Sequence, residues 1–310
     1  MKLVVTGGAG FVGTHVVHAA RSRGHEVVVV DRLARGGAVS LPPDVTLIAE
    51  DVRHPRRVAV AVGRADVVIH LAADASVPHG ERAPLAMAED NLAGTAGALE
   101  LAEAVQARQF RFVSSAAVYG NPGPHLPLHE AAPLAPLSFY GWSKWAGEAW
   151  CRRFADTRGL ALVIFRPGNI YGPGQDSSGE GGVVARFAER LAAGAPLVRE
   201  GSGEQVRDYI HVRDVAAALL HRLGDPVPPV GDGDAWLFNV GTGIGVTVNA
   251  LGAALAAIAQ RPLVWEPAPP RPGDIFASVF DTARLTAWGF CPTVPLPEGL
   301  RETWAALGAR

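Results

Sequence analysis

The run Thr6-Gly7-Gly8-Ala9-Gly10-Phe11-Val12-Gly13 decides the fold. It follows a short β-rich run at residues 2–6. It opens an apolar pattern of helical period over residues 11–23, which stops at Gly24. Its glycines stand three apart, at 7, 10 and 13. A glycine can take the tight turn, and its missing side chain lets a pyrophosphate approach the backbone. The helix N-terminus then offers that anion unpaired N–H groups and a partial positive charge. Outward from this turn, strand and helix signals alternate. Residues 26–31 contain Val27-Val28-Val29-Val30, the continuous β-branched run of a strand buried on both faces. Further strands are predicted at 45–49, 66–71, 110–115 and 162–166, and helices at 55–63 and 83–107. Strands separated by helices predict an α/β fold, a doubly wound parallel sheet covered on both faces.

The pattern loosens after residue 166. Segments rich in Gly and Pro occupy 168–182, 224–233 and 268–273, and short helices are predicted at 183–193, 212–223, 248–259 and 298–307. The expected organisation is a dinucleotide-binding domain over 1–166, with a return segment near 205–245. A smaller substrate-binding region over 167–310 is expected at the end of the sheet. Residues 225–234 read as a surface loop, and no internal repeat is evident.

The 310 residues are 48% hydrophobic and 19% charged, enough for a sizeable core and unlike a disordered chain. A formal net charge of −2 gives no reason to bind nucleic acid or an anionic membrane. No apolar run reaches bilayer length, and residues 1–6 are too short for a secretory signal. Cys151 and Cys291 lie far apart with no Cys-x-x-Cys spacing. That argues against a disulfide framework or a thiolate metal site, and a cytoplasmic location is expected.

Asp31, at the end of the second strand, can accept both hydrogen bonds of an adenosine ribose and would repel a 2′-phosphate, which favours NAD over NADP. Arg32 blurs the choice, because a guanidinium could hold that phosphate. Asp51-Val52 follows the third strand, where a carboxylate could reach an adenine amino group or simply end the strand. His70-Leu71-Ala72-Ala73 closes the fourth strand with small residues, as backbone packed against a cofactor requires.

Tyr140-Gly141-Trp142-Ser143-Lys144 begins a helix that runs to about Arg158. Residues four apart share a helix face, so the phenol and the ammonium project together. A nearby positive charge favours the phenolate, which could exchange a proton with a substrate hydroxyl. The spacing alone recurs by chance. Here Lys144 is one of two lysines among 28 basic residues, and it follows a dinucleotide-binding pattern. Ser115, at the end of the strand before this helix, is placed to hydrogen-bond the same hydroxyl.

Together these stretches resemble the extended short-chain dehydrogenase/reductase family, and specifically its nucleotide-sugar 4-epimerases. The resemblance spans nearly the whole chain. It is carried by residues 6–13, 70–73, Asn-Leu-Ala-Gly-Thr (91–95), Ser-Ser-Ala-Ala-Val-Tyr-Gly (114–120) and 140–144. It continues through Arg-Pro-Gly-Asn-Ile-Tyr-Gly-Pro (166–173), Arg-Asp-Tyr-Ile-His-Val (207–212), Asn-Val-Gly-Thr-Gly (239–243) and Arg-Pro-Gly-Asp-Ile (271–275). It implies a Rossmann fold with Gly7, Gly10, Phe11, Val12, Gly13, Asp31, Arg32, Asp51, Val52, Leu71, Ala72, Ala73 and Asp90 on the cofactor side. Tyr140, Lys144 and Ser115 would be the catalytic set. Asn169, Gly182, Val183, Arg207, Arg271 and Asp274 would bind the nucleotide diphosphate and its sugar. Dehydratases and decarboxylases of this group carry acids just after the strand-end serine. Here Ala116-Ala117 stands there, which demotes both. Ser278 replaces a bulky tyrosine that in some epimerases crowds the sugar 2-position, so an N-acetyl group should be tolerated.

The expected activity is NAD-dependent 4-epimerisation of a UDP-hexose, UDP-glucose/UDP-galactose first, through a 4-keto sugar. A 4-ketoreductase with exchangeable NAD(P)H is the alternative, and a non-catalytic dinucleotide-binding protein is a remote one. The resemblance also implies a homodimer, paired through the helices at 83–107 and 140–158.

Overall fold

Leu3, Val4, Val5 and Thr6 of strand β1 (Lys2–Thr6) are wholly excluded from solvent, which is why the sequence there shows no alternation. The computed structural model describes residues 1–33, 41–121, 123, 126–177, 182–226, 236–270 and 275–308. After the glycine turn come α1 (Phe11–Ser22), β2 (Glu26–Val30), β3 (Thr46–Ile48), α2 (Pro55–Val62), β4 (Val67–His70) and α3 (Val77–Arg82). Gly24 lies just beyond α1 at a φ of 78°, the left-handed position that ends a helix.

The single helix expected over 83–107 is three pieces: α4 (Pro84–Ala88), a π turn (Glu89–Ala93) and α5 (Gly94–Ala104). Pro84 can only begin a helix, so the chain restarts there. The wider π turn carries Asn91, whose side chain bonds outside the helix. β5 (Gln109–Val113) is shorter than expected, and Ala116–Val118 forms a 3₁₀ turn. Then α6 (Phe139–Arg158), capped by Ser138 and closed by Gly159 at a φ of 66°, leads to β6 (Ala161–Pro167).

The remaining elements are β7 (Asn169–Tyr171), α7 (Val183–Ala192), β8 (Leu197–Glu200), β9 (Val206–His211), α8 (Val212–Leu219) and β10 (Leu237–Val240). They continue with β11 (Gly245–Thr247), α9 (Val248–Ala259), β12 (Trp265–Ala268), β13 (Ala277–Ser278), α10 (Ala283–Ala287) and α11 (Leu296–Gly308). The loop expected at 225–234 falls mostly on residues outside those described.

Seven strands form one sheet in the order β10-β6-β5-β4-β1-β2-β3, and every pair from β3 to β6 is parallel. The order reverses at β1, flanked by β2 and β4, and such a reversal is where open α/β sheets bind ligands. The chain divides into two compact units. The first holds Met1–Val118, Ser138–Arg166 and Ala216–Phe238; the second holds Tyr119–Leu137, Pro167–Val215 and Asn239–Arg310.

In the first unit, Val4, Val28, Val68, Leu99, Phe110 and Ile164 belong to one buried cluster. The fully buried Arg111 of β5 donates to Gln109 Oε1 and to the carbonyls of Leu219, the last residue of α8, and of His221 and Arg222 in the turn beyond it. Burial drops the Arg111 pKa to about 9, and the distant Asp225 only partly offsets this.

In the second unit, β11-β9-β13 form a small sheet with β7 also on β9, and β12 pairs with β8. Tyr171, Phe187, Tyr209, Leu251 and Leu255 lie in its core. Its strands are two to six residues long and separated by Gly and Pro, which is why the sequence pattern does not reveal them.

Candidate active site

A Cβ on Gly13 would lie 2.1 Å from the Gly7 carbonyl oxygen, and one on Gly7, at a φ of 69°, would lie 2.6 Å from Ala72 N. No side chain fits either place. Gly10 caps α1 without a side-chain acceptor, and the first turn holds no acid. The first N–H groups of the helix, at Phe11 and Val12, are therefore available to an anion. Leu71, Ala72 and Ala73 follow β4 half-buried, with Leu71 N and Ala72 N bonded to Thr6. This cradle fits the diphosphate of a dinucleotide, and its chemistry asks for nothing further.

Asp31 accepts from Ala9 N at 3.1 Å and from Leu33 N at 2.8 Å, so one carboxylate ties the turn to the end of β2. Arg32 makes two hydrogen bonds to Asp90, at 2.7 and 2.5 Å. Asp51 is paired with Arg53 at 2.7 Å, and that bond holds the Asp51 carboxyl below its ordinary pKa. Val52 is buried, and its carbonyl oxygen lies 2.4 Å from where a Cβ on Gly97 would sit.

Tyr140 stands in the first turn of α6, half-buried and hydrogen-bonded to Ser115. In the protein by itself its pKa lies above the ordinary value, not below it as the spacing to Lys144 predicts. Desolvation dominates, the Ser115 bond opposes it, and the Asp74 carboxylate adds to it. Lys144 is buried, donates to Val113 O at 2.9 Å and lies 5.4 Å from the Phe112 ring centre. Desolvation lowers its pKa to about 8, with Cys151 and Glu148 opposing. Ser115 Oγ also accepts from Ala117 N, which shapes the 3₁₀ turn.

Sequence reasoning overlooked the groups that hold these residues. Glu148, one turn beyond Lys144, forms a bidentate pair with Arg166 at 2.8 and 2.6 Å, and Ser114 donates to it at 2.5 Å. The pair fixes α6 against β5 and β6 and is almost wholly buried. A second chain of bonds runs from the glycine turn to Tyr140. Thr6 Oγ1 and His70 Nδ1 are 2.7 Å apart, His70 Nε2 and Thr95 Oγ1 3.2 Å, and Thr95 donates to Asn91 O at 2.6 Å. Asn91 Nδ2 donates to Ser143 Oγ, and Ser143 donates to Tyr140 O. Because Thr95 donates onward, His70 Nε2 carries the ring proton. Asn91 also bonds Asp74 N and Asp74 O, fixing the residue whose carboxylate meets His79 Nδ1 at 2.6 Å. Ala116-Ala117 supplies no acid, as the sequence shows, but Asp74 brings one from another segment.

Within the second unit, Asn169 pairs with Tyr209 in register, and Arg207 donates to Val206 O and Phe276 O. Ser278 is buried and pairs with Arg207. Gly182 precedes α7, whose first residue is Val183; a Cβ there would meet Gln175 Nε2 at 2.5 Å. Arg271 and Asp274 lie outside the described residues. Asp208, inside the motif that singled out Arg207, instead anchors the 239–243 stretch by accepting from Thr242 N, Thr242 Oγ1 and Gly243 N. Asp214 does the same for Thr293 and Val294.

Residues 3–241 match the model of the NAD dependent epimerase/dehydratase family. A UDP-glucose 4-epimerase of Mycolicibacterium smegmatis is 36% identical over 311 residues, 98% of this chain and 97% of that protein. The crystal structure of Thermus thermophilus UDP-glucose 4-epimerase in complex with NAD superposes with a TM-score of 0.92 at 37% identity, covering 100% of both chains. A UDP-N-acetylglucosamine 4-epimerase from Methanobrevibacter ruminantium, in complex with UDP-N-acetylmuramic acid, gives 0.90 at 30% identity over 99% of this chain and 98% of that one.

Proposed function

The chain belongs to the NAD dependent epimerase/dehydratase family, and from that premise we propose that it interconverts UDP-glucose and UDP-galactose. It is an NAD-dependent nucleotide-sugar 4-epimerase. The observation that carries the reading is the Tyr140–Ser115 hydrogen bond at the C-terminal end of β5, with buried Lys144 one turn along the same helix.

NAD, when bound, supplies the hydride acceptor for C4 and a positive ring charge. Tyr140 would take the proton of the 4-hydroxyl on the way to the 4-keto sugar and return it to the same oxygen when the opposite face is reduced. Ser115 orients the hydroxyl and relays the proton. Lys144 would hold the nicotinamide ribose, and the cationic ring, when bound, would oppose the upward push that burial exerts on the phenol. Asn169, Arg207 and Arg271 hold the nucleotide diphosphate, Arg207 and Arg271 as forked donors, and Asp274 meets the nucleotide's ribose side. Gly182 and Val183 contact the sugar side, and the small Ser278 leaves room for an N-acetyl group.

Pure protein incubated with UDP-galactose and no added cofactor should yield UDP-glucose, read by product chromatography. A strict requirement for added NADPH would overturn the reading in favour of a 4-ketoreductase.

The active form is proposed to be a cytoplasmic homodimer. Its support is the aromatic surface of α6, where Phe139, Trp142 and Trp150 are about half exposed and the Trp142 and Trp145 rings meet edge to face at 4.9 Å. Among the described residues no helix is long and apolar enough to cross a membrane. Sedimentation should give twice the chain mass, and Trp142→Glu should halve it.

A further inference from the structure

The sequence reading of Arg32 points both ways, and its side-chain partners decide between them. A guanidinium directly after the ribose-binding acid is suited to a 2′-phosphate. Here that guanidinium is already taken. Nη1 and Nη2 reach the two oxygens of Asp90 at 2.7 and 2.5 Å, a fork-to-fork geometry that is the strongest an arginine makes with a carboxylate. Asp51 Oδ2 lies 3.9 Å from Arg32 Nη1. Arg53 closes a ring of four charges, 2.7 Å from Asp51 and 4.0 Å from Asp90. Asp31 stands next in sequence, held by Ala9 N and Leu33 N.

We propose that Asp90 sets the coenzyme preference of this chain, by locking Arg32 away from the 2′-position of the adenosine ribose. To receive a 2′-phosphate, Arg32 would have to leave Asp90, and the released carboxylate would then face the incoming dianion. A ribose with a free 2′-hydroxyl asks for neither change. The selectivity is therefore double: Asp31 accepts from the hydroxyl, and Asp90 withholds the cation that a phosphate needs. The hydrogen bond to Asp90 is the largest of the effects raising the Arg32 pKa, in keeping with a settled pair.

This inference rests on the reading of the glycine turn as a dinucleotide site, and the test separates the two. Purified protein is dialysed to equilibrium against an equimolar mixture of NAD and NADP. Bound nucleotide is then released by heat and quantified by chromatography. The wild type should retain NAD with little NADP. Asp90→Asn, nearly the same shape without the charge, should raise the bound NADP:NAD ratio about fivefold to tenfold, the scale of a coupled charge at a binding site's rim. Arg32→Ala alone should change the ratio little, because Arg32 is already engaged. Adding Arg32→Ala to Asp90→Asn should cancel the gain. An Asp90→Asn protein that binds as much total dinucleotide as wild type at an unchanged ratio overturns the role of Asp90. So does a double variant that keeps the gain. If the wild type binds neither dinucleotide, the site assignment itself fails. Circular dichroism of each variant separates misfolding from altered preference, and Asp90→Ser provides a second charge-free variant should Asp90→Asn misfold.

Discussion

The glycine turn and the first turn of α6 serve the same sheet end by opposite means. At residues 7–13 the chain offers backbone N–H groups because side chains are absent, and the close approaches of Gly13 to Gly7 and of Gly7 to Ala72 make any Cβ a clash. At residues 138–148 the chain offers side chains, and four of them are held by partners from elsewhere: Tyr140 by Ser115, Lys144 by Val113, Ser143 by Asn91, Glu148 by Arg166. The turn is a local solution to local sterics. The helix is a platform whose chemistry is set by distant groups. Damage to the first should remove the ligand, and damage to the second should remove the reaction while the ligand stays.

The comparison breaks most visibly at Tyr140. Tyr140→Phe should lower kcat at least about a thousandfold, the range of a lost general base, while bound NAD, read by absorbance of the purified protein, remains. Loss of both together would make the helix a binding element and collapse the distinction. Glu148→Gln removes the carboxylate charge paired with the buried Arg166 and should cost about 3 kcal/mol in denaturant unfolding. A cost near zero would mean that the platform does not depend on its buried pair. Gly13→Ala should weaken NAD binding by roughly a hundredfold, because the turn must open to admit the methyl. Titration of the refolded protein measures this.

Two pH effects sharpen the comparison further. Burial drops the His70 pKa to about 3 from an ordinary 6.5. The neutral ring therefore favours the folded state above about pH 6.5, and that stability is lost as pH falls towards 3. His70→Gln should flatten the dependence of unfolding free energy over that interval. An unchanged slope would assign acid sensitivity to other groups. Smallest is Asp74→Asn. It removes a carboxylate that raises the Tyr140 pKa, so the rising limb of the pH profile for kcat/KM should move to lower pH. A limb that stays put would show that Asp74 serves only to shape its loop.

The same contrast explains what the amino-acid order discloses. The turn, Asp31 and the valine run of β2 are readable because the constraint and the residue obeying it lie within a few positions of each other. Tyr140 and Lys144 are readable as a pair, but the direction of the Tyr140 shift is not. It depends on Asp74, 66 positions away in the chain, and on how deeply the phenol sits. Residues 83–107 read as one helix because apolar residues continue on both sides of Glu89-Asp90-Asn91; only the bonds of Asn91 to Asp74 and Ser143 show the break. In the second unit, Asp208 and Asp214 organise loops through backbone N–H groups, a role that leaves no periodic trace.

Arg111 carries a consequence for how this chain can be divided. Its guanidinium is satisfied by three carbonyls from residues 219–222, more than a hundred positions downstream. A fragment ending at Arg166 would retain the glycine turn, the tyrosine helix and six strands of the sheet, yet deprive its interior cation of those three carbonyls while Gln109 Oε1 stays beside it. The nucleotide-binding half is therefore not a portable module: any chimera that transplants it must carry the returning segment as well.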